Sequence, residues 1–219
     1  MGGLGVSIRA WSDRQALPEA RQNIVVDMRM PPLETDRLRI RPFESRDLPA
    51  VRAILEADET DEATERYVRH GGINAEVLAD LMQPPIGDRA IELRSTGEVI
   101  GLAGLVPAYG PFDQLRPMDE PPQAAEPRAT LYRIEIGLFY SVLPAHRRLG
   151  YASEAARALV DFAFDRLRLG RIVATTEHDN AGSQAVMRRL GMRMYQNALP
   201  EPAWFQVVGV AEHPSARDA

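Results

Sequence analysis

The 219-residue chain contains no cysteine and no lysine, and all 26 of its basic residues are arginine. Without cysteine there is no disulfide framework, no thiolate nucleophile and no cysteine-ligated metal. Without lysine there is no Schiff-base chemistry and no P-loop lysine to hold a nucleotide phosphate, and no G-x-G-x-x-G follows a strand. The formal net charge of −5 argues against a nucleic-acid surface as the main business of the chain. His70, His146, His178 and His213 show no metal spacing, so no metal is expected. No segment approaches the roughly twenty apolar residues that span a bilayer. The N-terminus lacks the apolar stretch of a signal peptide, and position 6, where myristoylation uses Ser or Thr, is Val6. No membrane partner and a cytoplasmic location are therefore the expectation.

What the chain does have is concentrated between Arg133 and Gly191. Residue periods predict a strand over 134–142, a Pro144 exit, a glycine-bearing turn, a helix, a second strand over 171–176 and a shorter helix. Ala155, Ala156, Leu159, Val160, Ala163, Phe164 and Leu167 form one apolar face of the first helix, and Gly170 stands where a C-terminal glycine would end it. The turn His146-Arg147-Arg148-Leu149-Gly150-Tyr151-Ala152 opens that helix, so unpaired N–H groups and the positive dipole end face out of it. Small residues at Gly150, Ala152, Ala155 and Ala156 leave the backbone approachable, which suits a diphosphate.

Arg147-x-x-Gly150-x-Ala152, followed by Asn180-x-x-Ser183 and Leu190-Gly191-Met192, resembles the signature segments of the GNAT superfamily of acyl-CoA-dependent N-acetyltransferases. The wording of the block is most similar to the branch around the RimJ and RimL ribosomal-protein N-acetyltransferases, and the resemblance spans Leu33 to Val210. It implies an α/β (α+β) fold: a GNAT-like mixed, mostly antiparallel sheet of six or seven strands with a V-shaped split between 134–142 and 171–176, and helices on both faces. It also implies acetyl-CoA as co-substrate and an amine-bearing acceptor, either a protein N-terminus or a small molecule. A monomer or homodimer is expected. Two positions depart from the family pattern. Arg148 stands where glycine is usual, and Met187 stands where many relatives place a tyrosine acid.

Acyl transfer from CoA needs an anion cradle, a free strand edge and an oxyanion donor. The cofactor-binding candidates are Arg147, Arg148, Leu149, Gly150, Tyr151, Ala152 and Ser153 for the phosphates, Val142 or Leu143 for a backbone N–H to the oxyanion, and Asn180. Asn180 suits helix capping equally well. The catalytic candidates are Glu135, as a base acting through water, and Ser183, as a donor to the leaving thiolate. Glu135 reads equally as a strand-face partner of an arginine, and Ser183 as a first-turn serine satisfying backbone donors. His146 and His178 are expected near the cofactor. An acyl-CoA-binding module without turnover is the alternative, suggested by Met187 and Arg148.

In the remainder, residues 1–32 are expected to be a partly ordered leader, 33–212 a single domain and 213–219 a flexible tail. Leu33 to Phe43 alternates as a first strand, and Asp47 is placed to cap a helix carrying Pro49, Val51 and Ile54. The acidic run from Glu56 to Glu65 suits a solvated helix surface, with a second amphipathic segment over 75–82. A hairpin joins 90–94 to 99–106 through Gly97. Residues 107–130 read as an irregular, proline-rich connection, either linker or substrate-side loop. Residues 204–210 read as the last strand.

Overall fold

The computed structural model describes residues 29–58, 60–120, 131–197, 199 and 201–216. The expected leader lies outside these residues but for 29–32, as does 121–130 of the proline-rich connection; of the expected tail, 213–216 are described and Pro214–Ala216 forms a 3-10 turn. Strands β1 (Leu33–Glu34) and β2 (Leu38–Arg41) are followed by helices α1 (Leu48–Leu55) and α2 (Glu62–Asp80). Then come β3 (Gly87–Leu93), β4 (Val99–Gly110), β5 (Leu115–Pro117), β6 (Arg133–Val142), α3 (Tyr151–Asp165), β7 (Arg171–Thr176), α4 (Ala181–Arg189), β8 (Arg193–Asn197) and β9 (Val207–Glu212). They build one sheet in the order β1-β2-β3-β4-β6-β7-β9-β8-β5. Every pairing is antiparallel except β6 with β7, which run parallel and register only at Gly137 opposite Val173. Past that point β6 continues without β7 beside it, which is the expected split.

Strand alternation sends neighbouring residues to opposite faces. Ala90 and Leu102 pack with Val51, Ile54 and Val68 of α1 and α2. Ile91, Ala103 and Leu105 pack on the other face with Ala155, Leu159 and Ala163 of α3 and with Met187 of α4. Helices thus cover both faces, as the resemblance implies.

Nine strands replace the expected six or seven. The additions are the break of the first strand into β1 and β2, the polar strand β8, and the three-residue β5. The connection after β4 is the largest difference. Residues 107–110 extend β4 against β6. Phe112 then inserts beside Phe205, with rings 5.0 Å apart, and 115–117 pair with β8 at the far end of the sheet. That segment straps across from one half of the sheet to the other, and its anchor is a buried aromatic rather than a strand-like period.

Helix α2 is one element where the sequence suggests two segments, and Gly71 and Gly72 sit in its interior. A Cβ on Gly71 would lie 2.7 Å from the Phe43 ring, so these glycines mark close packing rather than a break. Asp47 does occupy the N-cap position of α1, but its side chain makes no cap bond and turns to Arg41 at 2.7 Å. Helix α3 ends through Arg168 in the left-handed region, φ 56°, and not through Gly170. Trp204 belongs to a 3-10 turn ahead of β9.

Candidate active site

The site is built where β6 outruns β7. The Leu143 N–H donates to the Ile100 carbonyl at 2.9 Å, making those two residues a hydrogen-bonded pair. In an antiparallel ladder such pairs alternate, so the backbone groups of Val142 and Tyr140 point away from β4 toward the open edge. The Val142 carbonyl accepts from Arg147 Nε at 3.0 Å, which leaves its N–H as the outward donor. Leu143 is thereby removed as an oxyanion donor, because its N–H belongs to the sheet.

A cleft of about 860 Å³ opens beside that edge, between the start of α3 and the start of α4. Val142, Arg147, Arg148, Gly150, Tyr151, Ala152, Ser153, Asn180 and Ser183 all line it, together with Tyr140, His146 and Arg189. Of the candidates, Leu149, Leu143 and Glu135 do not line it. Nor does His178. Leu149 instead offers its carbonyl to Arg37 Nη1 at 3.0 Å.

The cleft is suited to an anion on three counts. The first bond of α3 is Glu154 N–H to the Gly150 carbonyl, 3.0 Å, so the amides of 151–153 precede it and have no helical partner. The Ser153 hydroxyl is buried with no hydrogen-bond partner. Three arginines, Arg147, Arg148 and Arg189, line the cleft. The turn itself needs two left-handed residues, Arg148 at φ 62° and Gly150 at φ 88°. The positive φ at the first is the physical reason glycine would be favoured there.

Arg37 and Glu154 were not picked out from sequence, yet they hold the turn in place. Arg37 Nε donates to Glu154 at 2.7 Å, the Arg37 guanidinium lies 4.4 Å from the Tyr151 ring centre, and Thr35 donates to the same carboxylate at 2.5 Å. Burial would raise the Glu154 pKa, but these bonds from Thr35 and Arg37 outweigh it and hold the carboxyl below its ordinary value. An ionised, fully paired carboxylate can therefore sit one turn from an anion site. The only sequence signal was a glutamate just inside a glycine-opened helix.

Ser183 occupies the floor opposite the strand edge. Asn180 caps α4 by accepting the Ser183 N–H at 3.0 Å while also lining the cleft, so its two readings coexist. The Tyr140 hydroxyl, also missed, lies 2.9 Å from Ser183 Oγ and 3.1 Å from the Ser183 carbonyl. Burial raises the Tyr140 pKa against the opposing effect of the Ser183 bond, so the phenol stays protonated at neutral pH. Met187 is fully buried in the core and packs under Gly209. The helix position that bears a tyrosine in many relatives thus points away from this cleft. Glu135 is paired with Arg171 at 2.9 Å on the other face of β6, the arginine-partner reading of that residue.

Among the described residues no group of three His, Asp or Glu is placed to hold a metal, and no helix is long and apolar enough to cross a membrane.

The acetyltransferase (GNAT) domain family model matches residues 37–193. Over 186 residues the chain is 32% identical to the uncharacterized N-acetyltransferase YoaA of Bacillus subtilis, covering 78% of this chain and 92% of that protein. The acetyltransferase structure from Agrobacterium tumefaciens superposes with a TM-score of 0.58 at 26% identity, covering 84% and 95% of the two chains. Mycobacterium smegmatis RimJ in complex with CoA-disulfide shares the fold at 18% identity, with a TM-score of 0.52 over 81% and 83%.

Proposed function

The chain belongs to the acetyltransferase (GNAT) domain family, and from that premise we propose that it transfers an acetyl group from acetyl-CoA to a primary amine. The acceptor amine is that of a protein N-terminus or of a small molecule. The observation that supports this best is the coincidence, in one cleft, of unpaired helix-start amides and an orphaned Ser153 hydroxyl with the outward Val142 N–H and with Ser183. Residues 33–212 act as one transferase domain in this reading.

Acetyl-CoA, when bound, supplies an activated acyl group and a thiol leaving group. Arg147, Arg148 and the 150–153 turn hold its phosphates. The Val142 N–H orients the acyl oxygen and favours charge developing on it, a role generally worth a few kcal/mol. With no cysteine and no lysine, attack by the amine itself in a ternary complex is favoured over a covalent acyl-enzyme. An α-amino group of pKa near 8 is roughly a tenth neutral at pH 7, so a weak base acting through water suffices. Glu135 fills that role from the face of β6 away from the cleft, and Ser183 donates to the departing thiolate, with Tyr140 positioned to donate to Ser183 in turn.

The absence of cysteine makes the test clean, since any thiol released in the assay comes from CoA. Acetyl-CoA with an amine panel should yield free thiol in proportion to acetylated amine. Tight CoA binding with no thiol release for any amine would favour the binding-module alternative, which Met187 and Arg148 suggest.

A further inference from the structure

A second pocket, of about 340 Å³, lies on the opposite face of the sheet at the point where β6 and β7 part. Phe139, Tyr109, Val106, Val173, Thr175 and Trp204 form its walls. Phe139 and Tyr140 are consecutive in β6, so this pocket and the cofactor cleft meet back to back along the same free strand edge.

The chemistry of the walls is one-sided. Among the described residues that line the pocket none is charged, and the Thr175 hydroxyl is the one polar side-chain group besides the Tyr109 and Trp204 edges. Trp204 is 43% exposed and Tyr109 is 56% exposed, so both offer ring surface to a ligand in the pocket. Glu135 and its partner Arg171 are not part of the lining. A polyamine would place further ammonium groups against apolar walls without a carboxylate to receive them, and an acidic acceptor would find no free cation.

Building on the transferase reading, we propose that this pocket receives the apolar body of the acceptor: the substrate is a primary amine borne on an aromatic or aliphatic group with no second charge beside it. A free arylalkylamine and a peptide N-terminus with a large apolar first side chain share that chemistry. The volume is at the small end for ligand pockets, which fits one such group rather than a folded surface.

The test is kcat/KM, read by thiol release, for phenethylamine, a Phe-first peptide, an Asp-first peptide and spermidine. The apolar pair should exceed the charged pair by at least about tenfold, the effect of one buried aromatic contact. Whichever member of the apolar pair is faster identifies the source. Trp204→Ala should erase most of that preference, and Trp204→Glu should shift it toward spermidine, both with the CoA dissociation constant unchanged by calorimetry. Spermidine or the Asp-first peptide as best substrate, or a preference indifferent to both Trp204 variants, overturns the pocket assignment while transfer stands. No acetylation of any amine by a protein that binds CoA overturns transfer, and the pocket assignment with it.

Discussion

Arg148 is the residue whose cost is easiest to isolate. It holds φ 62°, a conformation that costs a non-glycine residue about 1 kcal/mol, while it adds a positive charge to the residues lining the cleft. Arg148→Gly should therefore raise the melting temperature or leave it unchanged, yet weaken CoA binding most at low salt; lower stability together with unaltered affinity would refute both halves. Glu135 and Ser183 divide differently. Glu135→Gln should lower kcat and alter the acidic limb of the pH–rate profile with CoA affinity intact, since its side chain lies on the far face of β6 from the cleft. Ser183→Ala should lower kcat by a smaller factor, because Tyr140 and water remain as donors. Values of kcat within twofold of wild type for both variants would return Glu135 to its Arg171 pair and Ser183 to its helix. Arg148 and Ser183 are legible in the sequence because they sit in short spaced motifs, and Glu135 because it shares a strand with the expected oxyanion donor. The sequence concealed Tyr140, Arg37 and Glu154, whose roles come from contacts made across long stretches of chain.

At the scale of elements, the legible parts were those in which one period runs long enough to be read. Helix α3 and strands β6 and β7 have apolar faces set by local spacing, and their bounds fall within a residue or two of expectation, save that α3 stops at Asp165 and turns through Arg168 rather than ending at Gly170. Strand β8, Arg-Met-Tyr-Gln-Asn, has no such face; its place is fixed by pairing with β9 on one side and β5 on the other. Strand β5 is likewise held by tertiary contact, through Phe112. The motif helix α4 joins both kinds of information, because its cap is also a wall of the cleft. Asn180→Ala removes the bond from the Ser183 N–H and should cost about 1 kcal/mol of stability. If that cap also holds Ser183 in register with Tyr140, the same variant should lower kcat more than the stability loss predicts, whereas Asn180→Asp, which keeps the acceptor oxygen, should restore stability. A variant as stable as the wild type would show that α4 is held by packing alone.

For the whole molecule, the first half of the sheet hangs on charges buried where the α1–α2 layer meets it. Arg41, 3% exposed, donates to Asp47 at 2.7 and 2.9 Å and to Glu92 at 2.7 Å. Burial works to raise the Asp47 pKa, but the bonds from Arg41 and the Glu44 N–H prevail and hold it below its ordinary value. A carboxyl depressed in the folded state stabilises above its unfolded pKa and loses that contribution as pH falls through the folded one, so this cluster sets an acid limb below about pH 4. Asp88 works in the other direction. Burial raises its pKa despite the bond from the Tyr67 hydroxyl, and Oδ1 has no partner at all. Its contribution is present below the unfolded pKa and is lost as pH rises through the folded value, so ionising it works against the fold. Asp88→Asn keeps an oxygen for Tyr67 and removes the charge. The melting temperature of that variant should exceed that of the wild type at pH 7.5 and the gap should close as pH falls toward the unfolded aspartate pKa of about 3.9. Asp47→Asn should do the reverse, costing several kcal/mol at pH 7.5 because it weakens a buried arginine's pairing, and less in acid. Parallel pH profiles for wild type and both variants would mean that neither carboxyl is linked to folding, and that the acid limb arises from the exposed acidic surface instead.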